Sequence, residues 1–355
     1  MRKGRKGALL AALLTVGLLA GCGAPGETAG NGGKLTPVTL NEVAHSIFYA
    51  PMYVAIEEGY FKEEGLDVTL VTGFGADKTM TAVLTGDADI GFMGSESTIY
   101  TYVGGTNDYV VNFAQLTQRA GNFLVSREPI DDFDWNMLKD QDVLGGRAGG
   151  MPQMVFEYIL RKNNIDPSTD LRIDQSIDFG STAAAFSGGD ADFTVEFEPH
   201  ATLLEQKGDG YVVASLGEDS GHVPYTAFSA KKSYIDKNGD VIQAFTNALQ
   251  KGMDYVQSHS PEEIADVIAP QFAETDKQAL VTIVARYYDQ DTWKDNLVFE
   301  KASFDLLQNI LQDSGVLAER VPYEETDGLW QVVSYQVLER ETAQALLPEK
   351  TLAFP

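Results

Sequence analysis

Gly86-Asp87-Ala88-Asp89 and Gly189-Asp190-Ala191-Asp192 are two copies of one phrase in a chain of 355 residues. Each copy follows a run of small residues, 80–85 and 182–187, whose composition predicts a helix. Each leads into an apolar segment, 90–93 and 193–197, that reads as a strand. Each then turns at an acidic residue and opens another predicted helix, at Ser95-Glu96-Ser97 and at Glu198-Pro199-His200. Asp190 follows Asp87 by 103 residues, a spacing too long for a solenoid repeat. A helix–turn–strand–turn–helix unit used twice at that distance predicts two similar α/β lobes, and such chains work in the cleft between lobes.

Around this repeat the chain reads β-α-β-α-β-α-β. Strands are expected at 38–43, 66–71, 90–93 and 109–116, with helices at 49–59, 78–84 and 95–103 between them. That order implies a mostly parallel sheet covered by helices. A short strand at 123–126 precedes the polar stretch 127–134, where the first crossing between lobes is placed. A second βα series follows, with Gly145-Gly146-Arg147-Ala148-Gly149-Gly150 as a glycine turn ahead of a helix at 151–162. A strand at 171–177 leads to the second repeat, and one at 211–215 follows it. Residues 224–230 read as the return crossing. Helices at 241–257, 261–268, 276–288 and 304–312 are expected to pack back on the first lobe, and 330–347 also has helical spacing. The division is thus lobe 1 at 35–126 plus 225–355 and lobe 2 at 127–224.

The first residues stand apart. Arg2, Lys3, Arg5 and Lys6 precede an apolar run at 8–19 that is short for a bilayer span. It ends in Leu19-Ala20-Gly21-Cys22, which reads as a lipobox: residues 1–21 are a cleaved signal, and Cys22 carries the lipid. Cys22 is the chain's one cysteine, so none is left over for a disulfide, a metal or a nucleophile. Residues 22–34 lack an apolar pattern and read as a flexible tether. The formal charge is −26, and about −30 once the basic signal is removed. Such a surface repels nucleic acid and anionic lipid. No later stretch has the length and apolarity of a second span, and the four histidines show no metal-ligand spacing.

Ligands of open α/β sheets bind beyond the carboxyl ends of the strands. Those ends are 46–49, 73–78, 94–97, 149–153 and 196–199, and several open helices whose free N–H groups can hold an acceptor. The candidates there are Ser46, Phe48, Tyr49, Phe74, Asp77, Lys78, Ser95, Glu96, Gly150, Met151, Gln153, Glu196 and Glu198, with Arg119 at another strand end and Tyr225 in the return crossing. Glu96, Glu196 and Glu198 are acceptors for a ligand's N–H or O–H groups. Glu96 and Glu198 also suit the first turn of a helix for dipole reasons alone. Lys78 and Arg119 are the candidate cations, either of which a surface ion pair also explains. The aromatics offer faces on which a flat ligand stacks. Asp87, Asp89, Asp190 and Asp192 fit turns and caps. His45 reads as a hydrogen-bonded residue at a strand end.

These segments carry a resemblance. Tyr49-Ala50-Pro51-Met52-Tyr53-Val54-Ala55, then Glu57-Glu58-Gly59-Tyr60-Phe61-Lys62-Glu63-Glu64-Gly65-Leu66-Asp67-Val68, the AVLTGDADIGF stretch at 82–92, residues 145–153 and Phe197-Glu198-Pro199 resemble the solute-binding proteins of bacterial ABC importers. The group is that of SsuA and the thiamine-pyrimidine-synthesis-like proteins, which take nitrate, sulfonates, thiamine pyrimidine precursors or riboflavin. The resemblance runs from residue 38 to about 312. It implies a periplasmic-binding-protein type II fold and delivery of a small solute to a permease served by a separate ATPase; with the lipobox, the expectation is a lipid-anchored extracytoplasmic monomer without cofactor. It leaves the solute open; the glutamates and rings favour a flat heterocycle with hydrogen-bond donors over an anion. An enzymatic branch of the same fold, which makes a thiamine pyrimidine, is implied to use a histidine ahead of the Tyr-Val-Ala run and a cysteine-rich iron motif. Tyr49 stands at that histidine's place and the cysteines are missing, so the binding role is the expected one.

Overall fold

The computed structural model describes residues 34–177 and 179–323. The expected signal, the expected Cys22 anchor, most of the expected tether and the predicted helix at 330–347 lie outside them. In chain order the elements begin β1 (Thr36–Glu42), α1 (Ala50–Glu57), α2 (Tyr60–Glu63), β2 (Leu66–Thr72), α3 (Ala76–Thr85), β3 (Ile90–Gly94), α4 (Glu96–Val103) and β4 (Val110–Thr117). They continue with β5 (Asn122–Ser126), β6 (Asp142–Leu144), α5 (Met151–Lys162), β7 (Arg172–Asp174), α6 (Phe179–Gly188), β8 (Phe193–Phe197), α7 (His200–Lys207), β9 (Tyr211–Ser215) and α8 (Leu216–Ser220). The last are β10 (Thr226–Lys231), α9 (Lys232–Lys237), α10 (Gly239–Ser258), α11 (Pro261–Ile268), α12 (Lys277–Asp289) and α13 (Lys301–Asp313).

The strands form two five-stranded sheets of the same plan, β2-β1-β3-β10-β4 and β7-β6-β8-β5-β9. In the first, β1 pairs in parallel with β2 and β3, and β10 runs antiparallel to β3 and β4. In the second, β6 pairs in parallel with β7 and β8, and β5 runs antiparallel to β8 and β9. The reversed strand of each sheet is therefore the one that has just arrived from the other sheet.

The repeat recurs at the level of single hydrogen bonds. The Asp89 carboxylate accepts from the Thr39 amide at 2.8 Å and closes the turn before β3 onto β1. The Asp192 carboxylate accepts from the Asp142 amide at 2.9 Å and does the same for β8 and β6. The last residue of each GDAD phrase thus ties the third strand of its unit to the first, the turn role its residue type predicts.

Two expectations are corrected. The sequence places the end of the first lobe's leading segment at 126, yet β5 (122–126) pairs with β8 and β9, so the chain passes between sheets at 118–121, ahead of the polar stretch 127–134. The polar stretch is a surface connection within the second sheet's part. Nor do all the late helices return to the first sheet. α10 and α11 pack on α1, but α13 packs on α5. The α1–α10 contact is close at Gly252, where a Cβ would overlap the Pro51 carbonyl oxygen. The strand at 171–177 shrinks to β7, and β10 begins inside the predicted return crossing.

Candidate functional site

One large cavity, of about 1120 Å³, opens at the carboxyl ends of β1, β3 and β8 and is capped by the loop ahead of α5. Ten of the fifteen candidate residues line it: Ser46, Tyr49, Phe74, Asp77, Lys78, Glu96, Gly150, Met151, Glu198 and Tyr225.

Its floor is aromatic. Ser46 caps a 3-10 turn at Ile47–Tyr49 by accepting from the Phe48 amide at 3.3 Å, and this turn delivers Tyr49 to the cavity. The Tyr49 ring meets Phe92 of β3 edge-on at 4.5 Å. Tyr225 is fixed by donating from its hydroxyl to the Asn122 side-chain carbonyl at 2.6 Å. Burial pushes both phenols well up, so both stay neutral O–H groups. Phe74 stands at the rim, 74% exposed, with a left-handed φ of 56° between Gly73 and Gly75.

Glu96 opens α4 and is 2% exposed. Burial pushes its carboxyl up to about 8, opposed by the backbone amides of Glu96 and Met151. Its Oε2 is enclosed and has no hydrogen-bond partner. The carboxyl lies over Gly94, where any Cβ would overlap both oxygens. Tyr100, one helical turn on, donates to the Gly149 carbonyl at 3.3 Å, joining α4 to the loop before α5. Asp77 faces Arg147 of that loop at 3.7 Å, with both side chains more than half exposed.

Glu198 lines the cavity at the end of β8, but its carboxylate is fully engaged. It accepts from the Thr202 amide and hydroxyl, both at 2.9 Å, and from Arg286 at 2.8 Å. These contacts cap α7 and join it to α12. Its backbone carbonyl accepts from Ser46 at 3.2 Å, and the Glu198–Pro199 peptide is cis.

Five candidates lie outside the lining, each for a definite reason. Phe48 is wholly buried among Tyr49, Phe197, Tyr225 and Tyr287, and is core where a stacking wall was expected. Ser95 donates to the Pro224 carbonyl and ties α4 to the return crossing. Arg119 donates to the Gly217 carbonyl at 3.2 Å and faces Asp291 at 3.5 Å, the ion-pair alternative to anion binding. Gln153 accepts from the Gly149 amide at 2.9 Å and donates to Glu157, so it shapes the loop from behind. Glu196 accepts from Thr194 at 2.8 Å and Thr182 at 3.0 Å beneath α6; burial pushes it up to about 7.

The sequence reading did not nominate His45, Tyr100, Arg147, Phe197, His200 or residues 271–275, all of which line the cavity. Arg147 sits in the glycine turn at 145–150, and Phe197 in the Phe197-Glu198-Pro199 segment. Residues 271–275 arrive from between α11 and α12 and carry no local sign of a site. His45 is held on both sides, Nδ1 to Glu42 at 2.9 Å and Nε2 to the Gln271 carbonyl at 2.8 Å, and it stacks on Phe272 at 4.8 Å. The Glu42 contact raises it above its ordinary value, whereas burial lowers His200. Lys78 and Arg147, the lining Lys and Arg residues, are both exposed. The arrangement offers flat apolar walls, one incompletely bonded carboxyl and backbone amides. It suits a planar molecule with N–H groups better than a bare anion, which here would lose its hydration with the lining Lys and Arg side chains out in solvent.

A family model described as NMT1/THI5 like matches residues 47–264. YtlA of Bacillus subtilis (strain 168), provisionally designated a binding protein, is 46% identical over 310 residues, 87% of this chain and 91% of that protein. The formylaminopyrimidine-binding protein of Halalkalibacterium halodurans is 27% identical over 223 residues, 61% of this chain and 64% of that protein. The nitrate-binding protein NrtA of Synechocystis PCC 6803 shares the fold with a TM-score of 0.67 at 18% identity, over 88% of this chain and 89% of the other.

Proposed function

The chain belongs to the NMT1/THI5-like family of ABC-type solute-binding proteins, and from that premise we propose that its solute is a flat, nitrogen-rich heterocycle of the thiamine-pyrimidine-precursor or flavin kind. The observation that carries this is the pairing of a buried, incompletely bonded Glu96 with the aromatic walls Tyr49, Phe197 and Tyr225, while the lining Lys and Arg side chains are exposed. The formylaminopyrimidine-binding relative supports the same class. The two sheets with their helices serve as lobes, with the first boundary at 118–121, and close on the solute as a hinge. The protein captures and releases its solute unchanged and hands it to a permease with its own ATPase subunit. It is held at the extracytoplasmic face by lipid on Cys22. Cys22→Ser then releases a folded protein from washed membranes, and retention there counts against the anchor.

The cargo is tested by thermal unfolding of the mature, unlipidated chain against a panel of nitrate, taurine, alkanesulfonates, aminopyrimidines and flavins. A ligand at about 100 times its Kd stabilises by about 2.7 kcal/mol, which in a chain of this size raises Tm by a degree or more. If only the anions raise it, the heterocycle reading is wrong.

A further inference from the structure

His45 stands between two acceptors. Its Nδ1 lies 2.9 Å from a Glu42 carboxylate oxygen, and its Nε2 lies 2.8 Å from the Gln271 carbonyl oxygen. A carboxylate and a carbonyl have no hydrogen to give, so both contacts are hydrogen bonds only when both ring nitrogens carry one. The count is the same if the proton between Nδ1 and Glu42 rests on the oxygen. The ring also stacks on Phe272 at 4.8 Å. Gln271 and Phe272 begin the segment 271–275, every residue of which lines the cavity. That segment connects α11, which packs on α1, to α12, which Arg286 ties to α7. We infer that doubly protonated His45 is a positioning residue of the solute site: it holds 271–275 in place as a wall of the cavity, and loss of one ring proton frees that wall. This rests on the cavity being the solute site, and not on which solute it takes.

Which bond breaks follows from what lies on each side of the ring. Glu42 is fully buried and accepts from the Tyr53 hydroxyl at 2.6 Å and the Thr72 hydroxyl at 2.8 Å, besides His45. His45 is the cation it meets. A buried carboxylate gives up such a donor at high cost. The Gln271 carbonyl is neutral, and it meets the ring at the open edge of a side chain 34% exposed, where water can replace either partner. The neutral ring therefore keeps Nδ1–H on Glu42, gives the Nε2 proton to water and turns a bare lone pair toward the Gln271 oxygen. Two lone pairs do not stay 2.8 Å apart, so the segment moves off.

The hydrogen bond to Glu42 raises His45 above 6.5, against burial. The wall is held below that raised value and released as pH climbs through it. Other titratable groups surround the ring. Tyr53 of α1 lies edge-on to it at 5.0 Å and is kept a neutral O–H, chiefly by burial, as is Tyr49 from the 3-10 turn. Glu57 of α1 accepts from the Gln271 side chain, and Glu274 belongs to the segment itself. His200 lines the cavity from α7 and is lowered by burial. Asp77, Lys78 and Arg147 are exposed at the cavity. All of these remain when His45 is replaced, so a His45 variant isolates the ring.

The test is hydrogen exchange of the mature, ligand-free chain, read by mass spectrometry with the intrinsic rate at each pH divided out, from about pH 5.5 to about 9. Protection of peptides covering 271–275 is expected to fall by roughly 10- to 100-fold across the range, the worth of one hydrogen bond to a charged group. β1 and α1 keep theirs. Nitrogen NMR of labelled histidine follows the ring and should show the loss of the proton at Nε2 over the same interval. His45→Phe keeps the stacking and leaves Glu42 its Tyr53 and Thr72 donors, so it is expected to fold with low protection at 271–275 at every pH. If it does not fold, the wild-type exchange profile and the ring titration still decide. Protection that stays flat while the ring titrates, or a His45→Phe segment as protected as that of wild type at low pH, overturns the positioning role. A panel compound that raises Tm should raise it less above the transition than below it in wild type, and equally on both sides in His45→Phe; an equal rise in wild type also counts against the role. If no compound raises Tm, the solute-site reading falls, while exchange still reads the wall.

Discussion

Arg286 donates to Glu198 across 2.8 Å, joining α12 to the start of α7. The Glu198 side chain is fully buried and that of Arg286 is 25% exposed. The same guanidinium also reaches Glu205 and the Thr202 hydroxyl. This pair is structural, and it takes the conspicuous glutamate of the Phe-Glu-Pro segment away from the ligand. Arg286→Ala leaves a buried carboxylate uncompensated and is expected to destabilise by about 3 kcal/mol. Glu198→Gln keeps an acceptor for Thr202 and loses about 1–2 kcal/mol of stability, with solute affinity changed by no more than a few-fold. Urea unfolding and calorimetry on the same preparations separate the two effects. A large affinity loss at unchanged stability returns Glu198 to the site.

Stability is expected to fall as pH rises from about 4.5 to 8. Glu96 and Glu196 have ordinary values of 4.5 and are pushed by burial up to about 8 and about 7. Between the two values the folded state holds a proton that the unfolded chain has released. Each group's contribution is therefore full below 4.5 and lost by the folded value, at up to about 1.4 kcal/mol per pH unit. His45, raised by Glu42, acts in the same sense above 6.5. His200, lowered by burial, acts in the opposite sense. The lowered carboxylates, such as Asp108 with its Ser233 bonds opposing desolvation, titrate below this window. Tm at pH 8.5 should lie several degrees below that at pH 5.5, and Glu196→Gln should flatten the lower half of the slope. A higher Tm at pH 8.5 contradicts this account.

Gly252 gives a test of packing alone. A glycine inside a helix costs about 1 kcal/mol against alanine, so alanine should help α10 unless space forbids it. Here the new Cβ overlaps the Pro51 carbonyl oxygen and comes within 3.2 Å of the Ala55 Cβ. Backbone cannot step aside as a side-chain tip can. Gly252→Ala is expected to cost about 1–3 kcal/mol by overpacking, read as a lower denaturant midpoint at constant slope. A neutral or stabilising result shows that α1 and α10 can separate freely.

What was legible in the sequence was local. Glycines ahead of α5 and Ser260-Pro261 ahead of α11, with the apolar period, delimit both helices to the residue, and the GDAD phrases are the turns their residue types predict. What was not legible depends on distant partners. β5 is five buried residues that suit either sheet, and only pairing with β8 and β9 decides between them. Glu96 and Glu198 look alike, each the acid after a repeat strand. The difference is an arginine 88 residues further on, which engages Glu198, whereas Glu96 keeps an Oε2 without a partner. Arg119 likewise found Asp291 and the Gly217 carbonyl, contacts that nothing near it foretells.

Gly94 is the residue through which the Glu96 carboxyl can be displaced without touching Glu96. A Cβ at Gly94 overlaps both carboxyl oxygens, and its φ is not in the left-handed region, so alanine fits the backbone. The clash falls on the tip of a flexible side chain, which gives way while β3 stays in place. Gly94→Ala should therefore fold at wild-type stability or slightly above, because a costly unpartnered group leaves its enclosure. Binding of whichever heterocycle the panel identifies should fall to the level of Glu96→Leu. The double variant should bind no more weakly than either single one, since both remove the same contact and neighbouring effects do not add. Unfolding and calorimetry on the three proteins decide it. Additive losses show that Gly94 acts on the ligand independently of Glu96, and wild-type binding by Gly94→Ala shows that the carboxyl works from a different position.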